Sequence, residues 1–94
     1  MRLSLAEINH LKTTLSKLST EAKIYLFGSR VDENKRGGDI DLLILSSKLT
    51  RKDIREIRIE FCKEFGEQKI DILLDTPTPS NPFTQLIFPK AIEL

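Results

Sequence analysis

Apolar residues recur at steps of three and four near the start of the chain and predict a first helix. The positions that share this spacing are Leu5, Ile8, Leu11, Leu15 and Leu18. They place one apolar face on an amphipathic helix of about residues 4–19. Ser4 and Glu7 form a capping box that marks its start, while His10 lies off the stripe and is expected at the surface.

Two short apolar runs then indicate strands. Residues 24–27 are rich in β-prone side chains and end at Gly28, and residues 39–45 alternate at first before becoming continuously apolar. The second pattern is typical of a strand buried at one end. Between the two runs, residues 29–38 are polar and end in two glycines, which favours a loop or a short irregular helix.

The second half of the chain continues to alternate between helices and strands. A helix of about residues 51–65 precedes a third strand at about 69–74. Prolines make residues 76–82 an extended connection before a short final helix of about 82–88. One domain, residues 1–94, is expected. Its predicted class is α/β (α+β), with a small two-layer mixed sheet of about three strands flanked by helices.

Composition narrows the function classes only slightly. Of 94 residues, 39% are hydrophobic and 31% are charged, and a formal net charge of +1 gives no overall field that would attract nucleic acid or a membrane. No apolar run approaches the roughly 20 residues that span a bilayer, and the first residues do not resemble a signal peptide. The single cysteine, Cys62, fits a reducing compartment, so a cytoplasmic protein is expected.

One local cluster of basic residues lies on the predicted second helix. Arg51, Lys52, Arg55 and Arg58 are interpreted as a solvated helix surface, with contact to protein or RNA as the less favoured alternative. The sequence therefore offers no clear nucleic-acid surface, and it leaves homo-oligomerisation open.

Two acidic residues open the second predicted strand. Asp39 and Asp41 stand at i and i+2, so their side chains point to one face, roughly 6–7 Å apart, while Ile40 points into the core. Two carboxylates in apolar surroundings repel each other and lose solvation. A positive charge is expected between them. A lysine can supply it, and a hard divalent cation with oxygen ligands is the more economical solution.

A third acid follows in the next predicted strand. Asp71 interrupts the apolar run near its start, and it joins the other two acids if this strand pairs beside residues 39–45. A third carboxylate is then placed to accept a proton from an attacking hydroxyl. Asp75, on the same strand face, is the alternative, but it stands at the strand end and Asp71 is preferred.

The turn after the first strand is the candidate phosphate site. Gly28 lets the backbone approach a ligand and adopts positive φ without strain. Exposed N–H groups and the Ser29 hydroxyl can hold phosphate oxygens there. Arg30 adds a cation beside them, and Lys35 and Arg36 lie in the same loop.

Together these motifs resemble the signature of a known superfamily. Residues 26–30 (Leu-Phe-Gly-Ser-Arg) followed by residues 39–43 (Asp-Ile-Asp-Leu-Leu) look like the pattern of the DNA polymerase β-like nucleotidyltransferases, and the short chain is most similar to their minimal prokaryotic branch. The resemblance implies a nucleotidyltransferase fold that binds ATP with Mg²⁺ or Mn²⁺ and transfers a nucleoside monophosphate to a hydroxyl. The catalytic and metal-binding residues that it implies are Asp39, Asp41 and Asp71, and the nucleotide-binding residues are Gly28, Ser29 and Arg30.

Several members of that branch are encoded as antitoxins beside all-helical HEPN toxins, and some adenylylate a tyrosine of that partner. The resemblance thus implies transfer of AMP to a hydroxyl of such a partner protein. A weakly active or inactive antitoxin that acts by binding its toxin is one alternative. Asp32 and Glu33 favour it, because they place acids where the family usually carries basic residues. The other alternative is an enzyme that modifies a small molecule, although so short a chain has few residues left to enclose such a substrate.

Overall fold

The computed structural model describes residues 1–34 and 38–94, so the predictions for Lys35 and Arg36 lie outside the described residues. The helices are α1 (Leu5–Leu18), α2 (Arg51–Phe65) and α3 (Pro82–Ile87). The strands are β1 (Lys23–Phe27), β2 (Ile40–Leu45), β3 (Ile70–Asp75) and β4 (Ile92–Glu93). Two short 3-10 helices occupy Gly28–Val31 and Phe88–Lys90. Within the described ranges, no helix is long and apolar enough to cross a membrane.

The strands form one mixed sheet with the order β3-β2-β1-β4. β1 pairs antiparallel with β2 and with β4, whereas β2 and β3 run parallel. The parallel pair forms because α2 carries the chain back along the sheet between the two strands. As a result, the C-terminal end of β1 and the N-terminal ends of β2 and β3 lie at the same end of the sheet.

Alternation along the strands sorts the side chains onto two faces of the sheet. The face toward α1 and α2 carries the main core. Its buried members are Leu11, Leu15, Ile24, Leu26, Ile40, Leu42, Ile44, Ile57, Phe61 and Ile70. The opposite face carries a smaller cluster of Tyr25, Leu43 and Leu45, against which Phe88 and Ala91 of the C-terminal segment pack.

The C-terminal segment contains a fourth strand, so the prediction of about three strands was one short. β4 is two residues long, too short for alternation to be visible in the sequence. It exists through tertiary pairing, Ile92 with Leu26 and Glu93 with Tyr25. The predicted α+β class, with a mixed sheet flanked by helices, is confirmed.

Both long helices begin at capping boxes, of which the one at Ser4 was predicted. Ser4 caps α1 and exchanges hydrogen bonds with Glu7, and Thr50 caps α2 in the same way. His10, expected at the surface, is half-buried, and its ring lies edge-on to that of Phe65 at a centroid distance of 5.4 Å. The prediction was wrong because α2 packs over a wider face of α1 than the apolar stripe indicates.

Candidate active site

Asp41 and Asp71 are direct neighbours on the parallel pair of strands. They are register partners across β2 and β3, which puts their Cα atoms about 4.8 Å apart. Ile40 and Leu42, on either side of Asp41, are buried in the main core, so the two carboxylates project from the opposite face. The prediction for Asp71 required β3 to lie beside β2, and it does.

Asp39 lies just before β2 and forms an ion pair with a lysine that was not predicted as a site residue. The distance from Lys69 Nζ to Asp39 Oδ2 is 3.3 Å, and the Ile40 N–H donates to the Lys69 carbonyl oxygen at 3.2 Å. The side chains are 45% exposed for Asp39 and 70% exposed for Lys69, so the pair adds little stability. The sequence did carry a signal for this ion pair. Asp39 directly precedes β2 and Lys69 directly precedes β3, so the two residues lie side by side once these strands pair in parallel.

The acids influence one another's protonation. Burial raises the pKa of Asp41, the charges of Asp71 and Asp39 raise it further, and Lys69 acts in the opposite direction. The hydrogen bond to Asp39 and the acidic charges raise the pKa of Lys69 in turn. Among the described residues, three carboxylates thus face one ammonium group, and a further cation would relieve the excess of negative charge.

Gly28 follows β1 and lies directly against Asp41. Phe27, the last residue of β1, pairs with Asp41 across the antiparallel ladder, so the chain turns beside that carboxylate. Gly28 has a φ of 78°, and a Cβ atom there would collide with Asp41 Oδ2. Glycine alone satisfies both conditions. The Gly-Ser and Asp-x-Asp motifs, separated in the sequence, therefore meet at one point of the fold.

Ser29 lies in the 3-10 helix that follows. Its carbonyl oxygen accepts hydrogen bonds from the Asp32 N–H at 3.2 Å and from Arg2 Nη2 at 3.1 Å. Gly38 has a φ of 87°, and a Cβ atom there would collide with Ser29 Oγ. Ser29 itself is partly exposed.

Arg30, predicted to bind nucleotide, is engaged within the protein. Its Nε donates to the Gly38 carbonyl oxygen at 3.3 Å, and its Nη1 donates to the Arg2 carbonyl oxygen at 3.0 Å. The Arg2 N–H donates back to the Arg30 carbonyl oxygen at 2.8 Å. Arg30 therefore braces the loop against the N-terminal segment, and its role toward a nucleotide stays a prediction. Arg2 was missed because a single arginine before a helix carries no local signal.

Asp75, the alternative third carboxylate, is used by the turn that follows β3. It accepts hydrogen bonds from the N–H groups of Thr76, Ser80 and Asn81 at 2.7, 3.1 and 3.0 Å. These bonds, led by the one from Asn81, hold the pKa of Asp75 well below its usual range. Because Asp75 also lies at the opposite end of β3 from the other acids, the geometry favours Asp71.

The donor set fits a hard divalent cation that arrives with its substrate. Across residues 1–34 and 38–94, no group of three or more His, Cys, Asp or Glu side chains is close enough together to form a complete metal centre. Mg²⁺ commonly binds one or two carboxylates and completes its shell with water and substrate phosphates. The carboxylates of Asp41 and Asp71 suit this way of binding, because they are adjacent and their negative charges are not fully balanced by cations among the described residues.

An apolar cleft of about 650 Å³ opens beside Gly28. Phe27 and Val31 line one side of it, and Phe83 and Leu86 of α3 line the other. Phe83 is 52% exposed and Leu86 is 74% exposed. Exposed apolar side chains that border a polar site are typical of a surface that another molecule covers. The C-terminal segment, to which no motif was assigned, therefore forms one wall of this cleft.

A comparison with family models agrees with this geometry. The model described as "Nucleotidyltransferase domain" matches residues 8–93, a range that includes both motifs and all four strands. A comparison with curated proteins gave no significant match.

Proposed function

The chain belongs to the nucleotidyltransferase domain family, and on that basis we propose that it transfers a nucleoside monophosphate, AMP from ATP, to a hydroxyl group of a partner protein. The observation that carries this proposal is the pairing of Asp41 with Asp71 directly beside Gly28. Adjacent carboxylates next to a phosphate-binding turn are a common arrangement for in-line nucleotidyl transfer.

Each residue of the site has a separate part in the proposed reaction. The turn at Gly28 and Ser29 presents N–H groups and a hydroxyl to the β- and γ-phosphates. Asp71, exposed on β3, accepts the proton of the acceptor hydroxyl. The hydroxyl oxygen bonds to the α-phosphorus while the bond from that phosphorus to the bridging oxygen breaks, and pyrophosphate leaves.

Asp41 and Asp71 would hold Mg²⁺ or Mn²⁺ between them, and the family resemblance implies Asp39 as a third ligand. When bound, the ion would neutralise the charge that develops on the phosphate oxygens. The chain attracts such an ion because the Asp41 carboxylate is partly buried and lies near the negative charges of Asp71 and Asp39. Asp39 itself forms an ion pair with Lys69, so its part in binding the ion is to be tested by substitution.

The proposed acceptor is a protein, and the family resemblance narrows it to an all-helical HEPN-type toxin. The cleft beside Gly28 supports a protein acceptor, because Phe83 and Leu86 expose apolar side chains that a protein surface would cover. An open cleft of this kind suits a macromolecule better than a small substrate, which binds in enclosed pockets.

Label transfer to a purified candidate partner, a helical protein encoded beside this gene, is the direct test. Incubation with Mg²⁺ and ATP labelled at the α-phosphate should label the partner, and intact-mass analysis should show the gain of AMP. ATP labelled at the γ-phosphate should not label it, because that phosphate leaves in pyrophosphate. Labelling from the γ-phosphate would indicate phosphoryl transfer and contradict the proposal.

Matched carboxylate variants separate chemistry from folding. Asp41→Asn and Asp71→Asn should each lower the transfer rate by about 10²-fold or more, as removal of one key electrostatic group does. Glu64→Gln, which removes an exposed carboxylate of α2 on the opposite face of the sheet, is the control and should leave the rate nearly unchanged. Circular dichroism checks that all three variants are folded. Full activity in the first two would remove Asp41 and Asp71 from the mechanism.

A binding-only antitoxin is the second candidate. It is favoured by the exposed acids Asp32 and Glu33 after Ser29, and by the engagement of Arg30 within the protein. Such a protein would show no thermal shift with ATP and Mg²⁺, and its Asp41→Asn variant would still bind the toxin. A thermal shift that Asp41→Asn abolishes would favour the enzyme instead.

A further inference from the structure

A groove of about 520 Å³ lies between α2 and the outer edge of the sheet. Arg51, Arg55 and Arg58 line its helix side, and Ile72 and Leu74 line its sheet side. The side chains of Ile72 and Leu74 pack against the main core, so they point away from the face that carries the carboxylates. Leu73, from the carboxylate face, also borders the groove, so the groove runs along the outer edge of β3 and faces α2.

The sheet side of the groove presents an open strand edge. β3 is the terminal strand, and among the described strands it pairs with β2 alone. The Ser46 N–H donates to the Asp75 carbonyl oxygen at 2.9 Å, which shows that odd-numbered residues of β3 face β2. By the alternation of a parallel ladder, the backbone groups of Ile72 and Leu74 point outward. An unpaired strand edge readily accepts another strand.

The helix side of the groove carries uncompensated positive charge. Arg51, Arg55 and Arg58 are exposed, and in residues 1–34 and 38–94 none of them forms an ion pair. The nearest acid in the first turn of α2, Asp53, is turned back toward the cap, with 2.9 Å between its Oδ2 and the Thr50 nitrogen. The groove is therefore complementary in charge to an acidic ligand.

We propose that this groove binds an extended acidic segment of a partner protein, which adds to the sheet as a further strand beside β3. The open edge at Ile72 and Leu74 would supply backbone hydrogen bonds. The three arginines would select acidic side chains through charge-assisted hydrogen bonds. This interaction goes beyond the proposed transfer reaction and does not depend on it.

The spacing of the charges suits a strand. Arg51 and Arg55 are four residues apart on α2, or about 6 Å along the helix axis. Arg58 lies about 4.5 Å further along the same axis. In a strand, side chains on one face follow one another at about 6.8 Å. Acidic residues at two alternate positions of the added segment would therefore come within reach of Arg51 and Arg55.

Two other occupants fit the groove less well. A second copy that paired its own β3 here would bring both sets of three arginines together, and like charges would oppose the contact. A single-stranded nucleic acid would meet the arginines but would leave the outward backbone groups of Ile72 and Leu74 unpaired. The lining contributed by the described residues also includes no aromatic side chain on which a base could stack.

A fluorescein-labelled peptide in which Glu and Val alternate provides the test, with binding to the full chain measured by fluorescence anisotropy at physiological salt. This peptide should bind, and a peptide in which Lys and Val alternate should not. The double variant Arg51→Ala/Arg55→Ala should weaken binding at least about tenfold. Lys52→Ala, which removes an exposed cation of α2 outside the groove, is the matched control and should change binding less than about twofold.

Amide hydrogen exchange separates strand addition from simple charge attraction. Binding of the acidic peptide should slow exchange at the amides of Ile72 and Leu74. No added protection there, or an equal loss of binding in Lys52→Ala, would overturn the proposal. So would tighter binding of a uridine-rich oligonucleotide, or binding of the acidic peptide only to a self-associated form of the chain.

Discussion

Single residues decide the geometry of the candidate site where Gly28 meets Asp41. The Asp41 carboxylate occupies the space that a Cβ atom at position 28 would need. On the neighbouring strand, Asp71 stands opposite Asp41 in the register. Position 28 is therefore limited to glycine by its φ of 78° and by the carboxylate beside it. A side chain at position 28 should therefore displace the Asp41 carboxylate without changing the net charge of the protein.

Gly28→Ala should lower the free energy of unfolding by about 1–2 kcal/mol, the cost of a side chain in a left-handed conformation, and should displace the Asp41 carboxylate. Gly66→Ala is the matched control, because Gly66 has a φ of 89° but, apart from its chain neighbours, no atom lies within 4 Å of an added Cβ. Urea unfolding should show a loss of stability in both variants. Only Gly28→Ala should change the NMR titration of Asp41 and the transfer rate. An unchanged titration would show that this contact does not position the carboxylate.

Among the elements, the turn from β3 to α3 depends on one carboxylate. At the end of β3, the Asp75 carboxylate accepts hydrogen bonds from the backbone N–H groups of Ser80 and Asn81. Asn81 in turn caps α3, since its side chain accepts a hydrogen bond from the Phe83 N–H at 2.9 Å. Because α3 forms one wall of the cleft beside Gly28, the carboxylate of Asp75 supports the site from a distance.

Asp75→Asn should lower the free energy of unfolding at neutral pH by about 1 kcal/mol, a value typical of a lost cap and reduced by solvent screening. The folded-state pKa of Asp75 is lowered. Its contribution is therefore fully present above the unfolded pKa of about 3.9 and is lost as the pH falls through the folded value. Urea unfolding should show the gap between wild type and variant shrinking below about pH 4. A gap that is constant with pH would show that the charge of Asp75 does not stabilise the turn.

At the scale of the whole molecule, the acidic site lowers the free energy of unfolding at neutral pH. The folded-state pKa of Asp41 is raised by burial and by neighbouring acids. Its protonated form therefore favours folding below the unfolded pKa of about 3.9, and that stability is lost as the pH rises through the folded value. At neutral pH, the ionised carboxylate is retained at a cost in stability.

Asp41→Asn should raise the free energy of unfolding in metal-free buffer at neutral pH by about 0.5–1 kcal/mol, a small gain because solvent screens much of the charge. Addition of Mg²⁺ with a non-hydrolysable ATP analogue should stabilise the wild type more than the variant and reverse their order. Thermal denaturation with and without EDTA measures both effects. Equal stabilisation of the two proteins would show that Asp41 takes no part in binding the ion or the nucleotide.

Local periodicity predicted most of the fold. α2 has the predicted bounds, 51–65. α1 differs from prediction by one residue at each end and β2 by one residue at its start, within the usual variation of such boundaries. β4 could not be predicted, because two residues carry no period. The burial of His10 could not be predicted either, because it depends on how α2 lies across α1.

By itself, the sequence determined the order of helices and strands, the glycine turn and the acidic strand start, because these depend on neighbours only a few residues apart. The tertiary structure alone decided that β3 lies beside β2, which brings Asp71 to Asp41 and Lys69 to Asp39. It also decided that Arg30 is held within the protein. Strand order follows from burying whole faces and pairing distant backbone groups, and no local pattern encodes it.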